Sequence, residues 1–231
     1  MSRSSHDEFQ STVVYKLGGS LLRRPDLHEL LQQELASLPP DIRPLVVVGG
    51  GSRADEVRRW QSLYGIADES AHWLAIHAMR DNADQLQRLW PHFRLVADRD
   101  HADSCWRDRR IPLLDPLKFV ESTIAGPSGE DAFEKSDSGG DWIPFSELPP
   151  DWTTTSDAIA GWIARVWPAA TLHLLKSCRP AARNVPELCQ HQQIDPVLPA
   201  VLQGTGIEVF WNDLSDQTGA PVKLAQLHRT A

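Results

Sequence analysis

Thr12-Val-Val-Tyr-Lys-Leu-Gly-Gly-Ser20 is the stretch on which the reading of this chain turns. Val13, Val14 and Tyr15 favour an extended backbone, and Gly18 and Gly19 end it. Pro44-Leu-Val-Val-Val48 repeats the pattern and runs straight into Gly49-Gly-Gly-Ser52. An apolar run with no polar alternation marks a parallel strand covered on both faces. A helix follows each turn. Pro25 opens the first, with Leu27, Leu30, Leu31, Leu35 and Leu38 at helical spacing before Pro39 and Pro40 close it. The second passes through Val57 and Trp60 and stops near Gly65.

Working outward, a longer helix starts near Glu69, its apolar stripe made by Ala71, Leu74, Ala75, Ala78, Met79, Leu86 and Leu89. Further strands are predicted at 94–97, 111–114, 171–175 and 207–211. Strands alternating with helices predict the α/β class, as a three-layer αβα sandwich with a central, mainly parallel sheet. The expected organisation is one domain over residues 1–231. It has a leader at 1–11, an exposed acidic loop rich in Gly and Ser at 126–141, and a loosely packed tail at 213–231.

Composition narrows the function classes. The chain has 231 residues, with 23 Lys plus Arg against 31 Asp plus Glu, for a formal charge of −8. An acidic chain is a poor binder of nucleic-acid backbone, where affinity comes from neutralising phosphates. No apolar run is long enough for a membrane helix, and the polar opening from Met1 to Gln10 does not read as a secretion signal. The three cysteines, Cys105, Cys178 and Cys189, have no metal-finger spacing, which fits a reduced, cytoplasmic chain. Cys178, Cys189 and His191 lack a fourth ligand, so no protein-held metal is expected. The nine tryptophans are read mainly as packing.

The glycine turns carry the chemical reading. A strand–Gly–helix junction exposes backbone N–H groups at the positive end of a helix, which suits a phosphate or another anion. Glycine alone lets the anion approach the backbone closely. Each turn by itself could be no more than a tight connection, but two at strand C-termini fall on one edge of a parallel sheet. The Walker and Rossmann glycine spacings are both absent. Lys16 closes the first strand, on the opposite face from Tyr15 and Leu17, and Lys176 closes Thr171-Leu-His-Leu-Leu175 in the same way. A lysine in an apolar strand is costly to bury unless it meets an anion. Asp157 precedes an amphipathic helix marked by Ile159, Trp162, Ile163 and Val166. It reads equally as part of a Thr154-x-x-Asp157 capping box or as the acid that holds two lysines or a magnesium ion. Arg53 and Arg58 match phosphate geometry, with Arg53 favoured over Arg58, and Asp55 could pair with a substrate amine.

Lys16-Leu-Gly-Gly-Ser20, Val48-Gly-Gly-Gly-Ser52 and Thr155-Ser-Asp157, in that order, resemble the amino acid kinase superfamily. Finer features are similar to the aminomethylfuran phosphate kinases of methanofuran biosynthesis. These are Gly51-Ser-Arg-Ala-Asp-Glu-Val-Arg58, Ala71-His-Trp-Leu-Ala75, Leu174-Leu-Lys-Ser177 and Ile194-Asp-Pro-Val-Leu-Pro199. The resemblance implies a cytoplasmic, homodimeric, ATP-dependent kinase with Mg²⁺ accompanying the nucleotide and a small-molecule acceptor, a phosphate monoester converted to a diphosphate. It implies catalytic roles for Lys16, Asp157 and Lys176. Phosphate binding would fall to Gly18, Gly19, Ser20, Gly49, Gly50 and Gly51. Acceptor binding would fall to Ser52, Arg53, Asp55, Arg58 and His72, and nucleotide binding to Ser156, Lys176 and Ser177. Two features depart from the family. Ser177-Cys-Arg-Pro180 stands where relatives usually carry an Asp-Gly or Pro-Gly turn, and the later Gly-Gly…Met…Lys segment has no counterpart. The alternative is a non-catalytic protein of the same fold that binds a small anionic metabolite or a partner subunit.

Overall fold

Strand β1 (Ser11–Leu17) sits near the middle of the sheet, and its pleat sorts its side chains between two cores. Val13, Tyr15 and Leu17 enter one and Val14 the other, with Lys16 on the Val14 side. Strand β2 (Ile42–Val48) alternates likewise, Leu45 and Val47 against Val46 and Val48. This computed structural model describes residues 11–36, 38–39, 41–124, 143–167, 169–215 and 220–226. The acidic loop at 126–141 and most of the leader lie outside the described residues.

The sheet has seven strands. It continues with β3 (Phe93–Val96), β4 (Ile111–Leu114), β5 (Thr171–Lys176), β6 (Glu208–Asp213) and β7 (Val222–Leu224), in the spatial order β3-β4-β2-β1-β5-β6-β7. All pairings are parallel except β6 with β7. Helices cover both faces. They are α1 (Leu27–Ala36), α2 (Gly51–Tyr64), α3 (Asp68–Leu89), α4 (Arg99–Arg107), α5 (Pro116–Ile124), α6 (Ser156–Val166), α7 (Val185–Gln190) and α8 (Leu198–Leu202). This is the αβα sandwich read from the sequence. Helix α1 begins at Leu27 rather than Pro25, after a 3₁₀ turn at Gly19–Arg23. Gly65, left-handed at φ 66°, ends α2.

The core on the α6 side holds Trp162 and Trp211, both fully buried. Replacing Trp162 by Ala would cost about 3–5 kcal/mol. Helices α4, α5, α7 and α8 and strand β7 have no counterpart in the sequence reading. Helix α4 buries only Ala102 and Cys105, too thin a stripe to show as a period, and is started by Asp98, whose side chain accepts from His101 N. The stretch expected to be a loose tail contributes β7, with Leu224 buried.

Chain order sets where a ligand can sit. From β1 the sheet grows outward to β2 and β4 on one side and to β5 and β6 on the other. The crevice beyond the strand C-termini at such a reversal is where parallel sheets bind ligands.

Candidate functional site

The two glycine turns touch at this rim. Gly18 N donates to Leu175 O and Gly49 N to Leu17 O, each at 2.9 Å, so the ladders of β5, β1 and β2 run on into the turns. A Cβ on Gly19 would lie 2.3 Å from Gly51 N, and one on Gly49 would lie 3.0 Å from Gly19 N. Only glycine permits this approach, and Gly51 also has φ +53°. Helix α2 starts here with no side-chain cap and no acid in its first turn. Its N-terminal amides are therefore left for an external acceptor. Asn82 of α3, buried, donates to both Gly49 O and Gly50 O at 2.8 Å. That turns the carbonyls of the second loop away from the rim.

Beneath the turns lies a chain of buried charge. β1 and β5 are neighbours, with Lys16 opposite Leu174, so Lys176 projects from the same face two residues further along. Both ammonium groups meet Asp157 on α6, Lys16 Nζ at 2.8 Å from Oδ1 and Lys176 Nζ at 2.6 Å from Oδ2. Lys176 Nζ also donates to Gln193 O at 2.9 Å. Burial pushes the Asp157 carboxyl up, but the two lysines outweigh it and hold its pKa at about 2. Burial lowers the Lys176 pKa, with Asp157 opposing.

The capping box does not form. Thr154 makes no cap, and Asp157 faces the lysines. Helix α6 is started instead by Asp195, from the segment before α8. Asp195 Oδ2 accepts from the amides of Thr155, Asp157 and Ala158 at 3.0, 3.0 and 2.9 Å, and Oδ1 accepts from Thr155 Oγ1. The sequence carries Asp195 only as part of Ile194-Asp-Pro, with nothing local to show what it caps.

A cleft of about 260 Å³ opens above the turns. Its floor is Gly19, Gly50 and Gly51, and its apolar wall is Ala75, Met79 and Ile159. Its polar lining includes Ser20, Arg23, Asp55, Arg58, His72, Thr154 and Ser156. Arg58 pairs with Asp55 at 3.0 Å and lies 4.2 Å above the Trp152 ring, which also lines the cleft. His72 is buried, which lowers its pKa, with backbone groups of Asp151 and Thr154 pulling the other way. Thr154 is buried, and its Oγ1 has no partner among the described residues.

Of the residues expected at the site, Gly19, Ser20, Gly50, Gly51, Asp55, Arg58, His72 and Ser156 line the cleft, whereas Lys16, Gly18, Gly49, Ser52, Arg53, Asp157, Lys176 and Ser177 do not. Arg53 turns along α3, with Nε on Asn82 Oδ1 at 2.9 Å and Nη2 on Gln85 Oε1 at 3.1 Å. It braces the residue that holds the second turn, and Arg58 rather than Arg53 lines the cleft. Arg23, Trp152, Asn82 and Asp195 have no role in the sequence reading, and Asn82 and Asp195 act on backbone more than thirty residues away. On the other side of the site, Ser177 Oγ lies 2.8 Å from Ser20 Oγ and ties the first turn to the end of β5. Cys178 to Ala181 are held by Trp211 Nε1 on Cys178 O and by both ends of the Gln193 amide.

No group of three or more His, Cys, Asp or Glu among the described residues could hold a metal ion. Both oxygens of Asp157 are taken by lysines. The described residues therefore offer no magnesium cage. No helix among the described residues is long and apolar enough to cross a membrane.

Residues 11–99, which carry both glycine turns, match the amino acid kinase family. No curated protein sequence matches the chain significantly. Among solved structures, uridylate kinase from Archaeoglobus fulgidus superposes with a TM-score of 0.54 at 18% identity, over 87% of this chain and 90% of that one. UMP kinase from Ureaplasma parvum gives 0.52 at 12% identity, over 90% and 91%. Aspartate kinase from Synechocystis gives 0.59 at 12% identity, covering 94% of this chain and 40% of that longer one. The chain has the amino acid kinase fold.

Proposed function

We propose that this chain is an ATP-dependent small-molecule kinase. The observation that carries the reading is the Lys16–Asp157–Lys176 bridge directly beneath two abutting glycine turns. Phosphoryl transfer asks a protein for alignment and for neutralisation of charge on the transferred group, more than for a nucleophilic side chain. Lys16 and Lys176 neutralise the charge, Lys176 beside Ser177 toward the nucleotide, and Asp157, paired with both, fixes their separation. The open amides at the start of α2 and in the first turn grip the oxygens of the group in transit. Magnesium, when bound, would be held by the nucleotide phosphates and would supply further neutralisation of their charge.

The acceptor occupies the cleft. Arg23 and Arg58 suit an anionic acceptor, and a phosphate monoester converted to a diphosphate is the reading we favour. A monoester oxygen is already ionised near neutral pH, so no general base is required. Two of the structural neighbours are named for uridylate, itself a monoester. Incubation with Mg-ATP and a panel of monoesters, aminomethylfuran phosphate among them, followed by phosphorus NMR, tests this. A new diphosphate resonance is expected. A silent panel together with no ATP binding by calorimetry would overturn it.

One observation favours a second reading, a non-catalytic binder of a small anion. The Lys176 ammonium already has two acceptors, and its side chain is only 12% exposed. Anion binding insensitive to Lys16→Ala would decide for that reading.

A further inference from the structure

We propose that Asp195 is a positioning residue that sets the net charge of the phosphoryl site and thereby its affinity for phosphate. Lys16, Asp157 and Asp195 are all at least nine-tenths buried, and Lys176 nearly so. Two cations and two anions lie in one buried cluster, Asp195 joined to Asp157 through the Asp157 amide, and their formal charges sum to zero. Asp157 alone would leave the pair of lysines with a surplus positive charge. Asp195 removes it without touching either ammonium, because its oxygens are filled by three amides and the Thr155 hydroxyl.

The placement has a second consequence. The positive end of α6 points at Asp195, so this helix start is already satisfied by the protein's own anion. The start of α2 has no such acid. Of the two helix starts that border the cleft, one is plugged and one is open, and a phosphate is directed to the open one. Burial and then the nearby Asp157 charge raise the Asp195 pKa, opposed by its hydrogen bonds and by Lys16. The carboxylate is thus held against an unfavourable environment, at the spot where it cancels the lysines.

A site without surplus charge suits turnover. A fixed extra cation would attract substrate, transition state and product alike, which tightens binding without speeding the chemical step. Asp195 acts on the same site as the proposed kinase activity, and the inference rests on that site taking phosphate.

Asp195→Asn tests it. Asn keeps an oxygen for the three amides and turns its NH₂ to the Thr155 hydroxyl, so shape is retained and one charge is lost. Titration calorimetry uses inorganic tripolyphosphate as the probe, at low and at moderate salt, on wild type and variant. The variant is expected to bind about tenfold tighter, with a steeper loss of affinity on adding salt. A plain structural role would weaken binding or leave it alone, and would not steepen the salt dependence. Equal or weaker binding by a variant that unfolds at the wild-type temperature overturns the proposal, as does no binding by either protein. Asp195→Ser, which leaves room for a water under the same amides, is the second neutral variant. If neither variant folds, Asp195 is a structural plug and the charge role is wrong. Acceptor transfer is measured separately by phosphorus NMR. Wild type that binds tripolyphosphate but binds no ATP and transfers nothing sinks the kinase reading alone. Transfer with binding indifferent to residue 195 sinks this one alone.

Discussion

Gly19 and Gly51 come together so closely that a methyl group on Gly19 would sit 2.3 Å from the Gly51 amide nitrogen. The obstruction would be backbone, which cannot swing aside as a side chain can. Gly19→Ala is therefore expected to force the two turns apart and to lower tripolyphosphate affinity at least tenfold, with modest loss of stability. Gly204→Ala is the control. Nothing lies within 4 Å of its Cβ, and only the strain of φ +73° is incurred, about 1 kcal/mol. Calorimetry and thermal melts on both variants make the comparison, and equal anion affinity in the two would refute it.

The buried bridge predicts unequal effects of removing its members. Asp157→Asn leaves two lysines without their shared anion and is expected to cost about 3–5 kcal/mol. Lys16→Met leaves Asp157 paired with Lys176. It should unfold less readily than Asp157→Asn yet lose transfer by a factor on the order of 10³. Because the folded pKa of Asp157, about 2, lies below the unfolded value, its contribution is fully present above about pH 4 and is lost as pH falls through about 2. Denaturant melts from pH 5 to pH 2 on wild type and Asp157→Asn measure the difference in slope.

Thr154 offers a test of the cleft that separates stability from binding. A buried hydroxyl with no partner costs about 1 kcal/mol or more, so Thr154→Val is expected to raise the melting temperature by about 2–4 °C. If the hydroxyl is kept for the acceptor, the same variant should raise acceptor KM by about tenfold. A higher melting temperature with unchanged KM would remove Thr154 from the binding role.

Arg53 and Arg58 are separated by one and a half helical turns and point to different tasks. Arg58→Gln is expected to raise acceptor KM about tenfold with kcat nearly unchanged, because Arg58 lines the cleft over Trp152. Arg53→Gln removes the brace on Asn82 and should act on stability, by about 1 kcal/mol. Steady-state kinetics beside melts would show whether the two effects are exchanged.

His173 gives the fold its own pH dependence, away from the cleft. It lies between Tyr15 and Phe210, hydrogen-bonded to Asn212, and burial lowers its pKa to about 4. The unfolded chain takes up a proton near pH 6.5 and the folded chain does not. Stability should therefore be lost as pH falls from about 6.5 to about 4, by up to about 3 kcal/mol. His173→Gln should flatten that part of the curve in denaturant melts.

The sequence by itself determined what local patterning can encode. Apolar runs ending in Gly18 and Gly49 defined two central parallel strands, and strand parity alone put Lys16 opposite Tyr15 and Leu17. The glycine turns, the long α3 helix and the αβα layering follow from the same patterns. Position along the chain could not say which of two readings Asp157 takes, since a helix-start acid and a lysine partner look alike in sequence. Packing decided it, because Asp195, from 38 residues away, occupies the α6 amides and leaves Asp157 for the lysines. The direction of Arg53, the uncovering of Arg58 and the orphaned Thr154 hydroxyl were likewise decided in three dimensions. Each depends on which groups from distant segments arrive first at one buried donor or acceptor, and no periodicity records that competition.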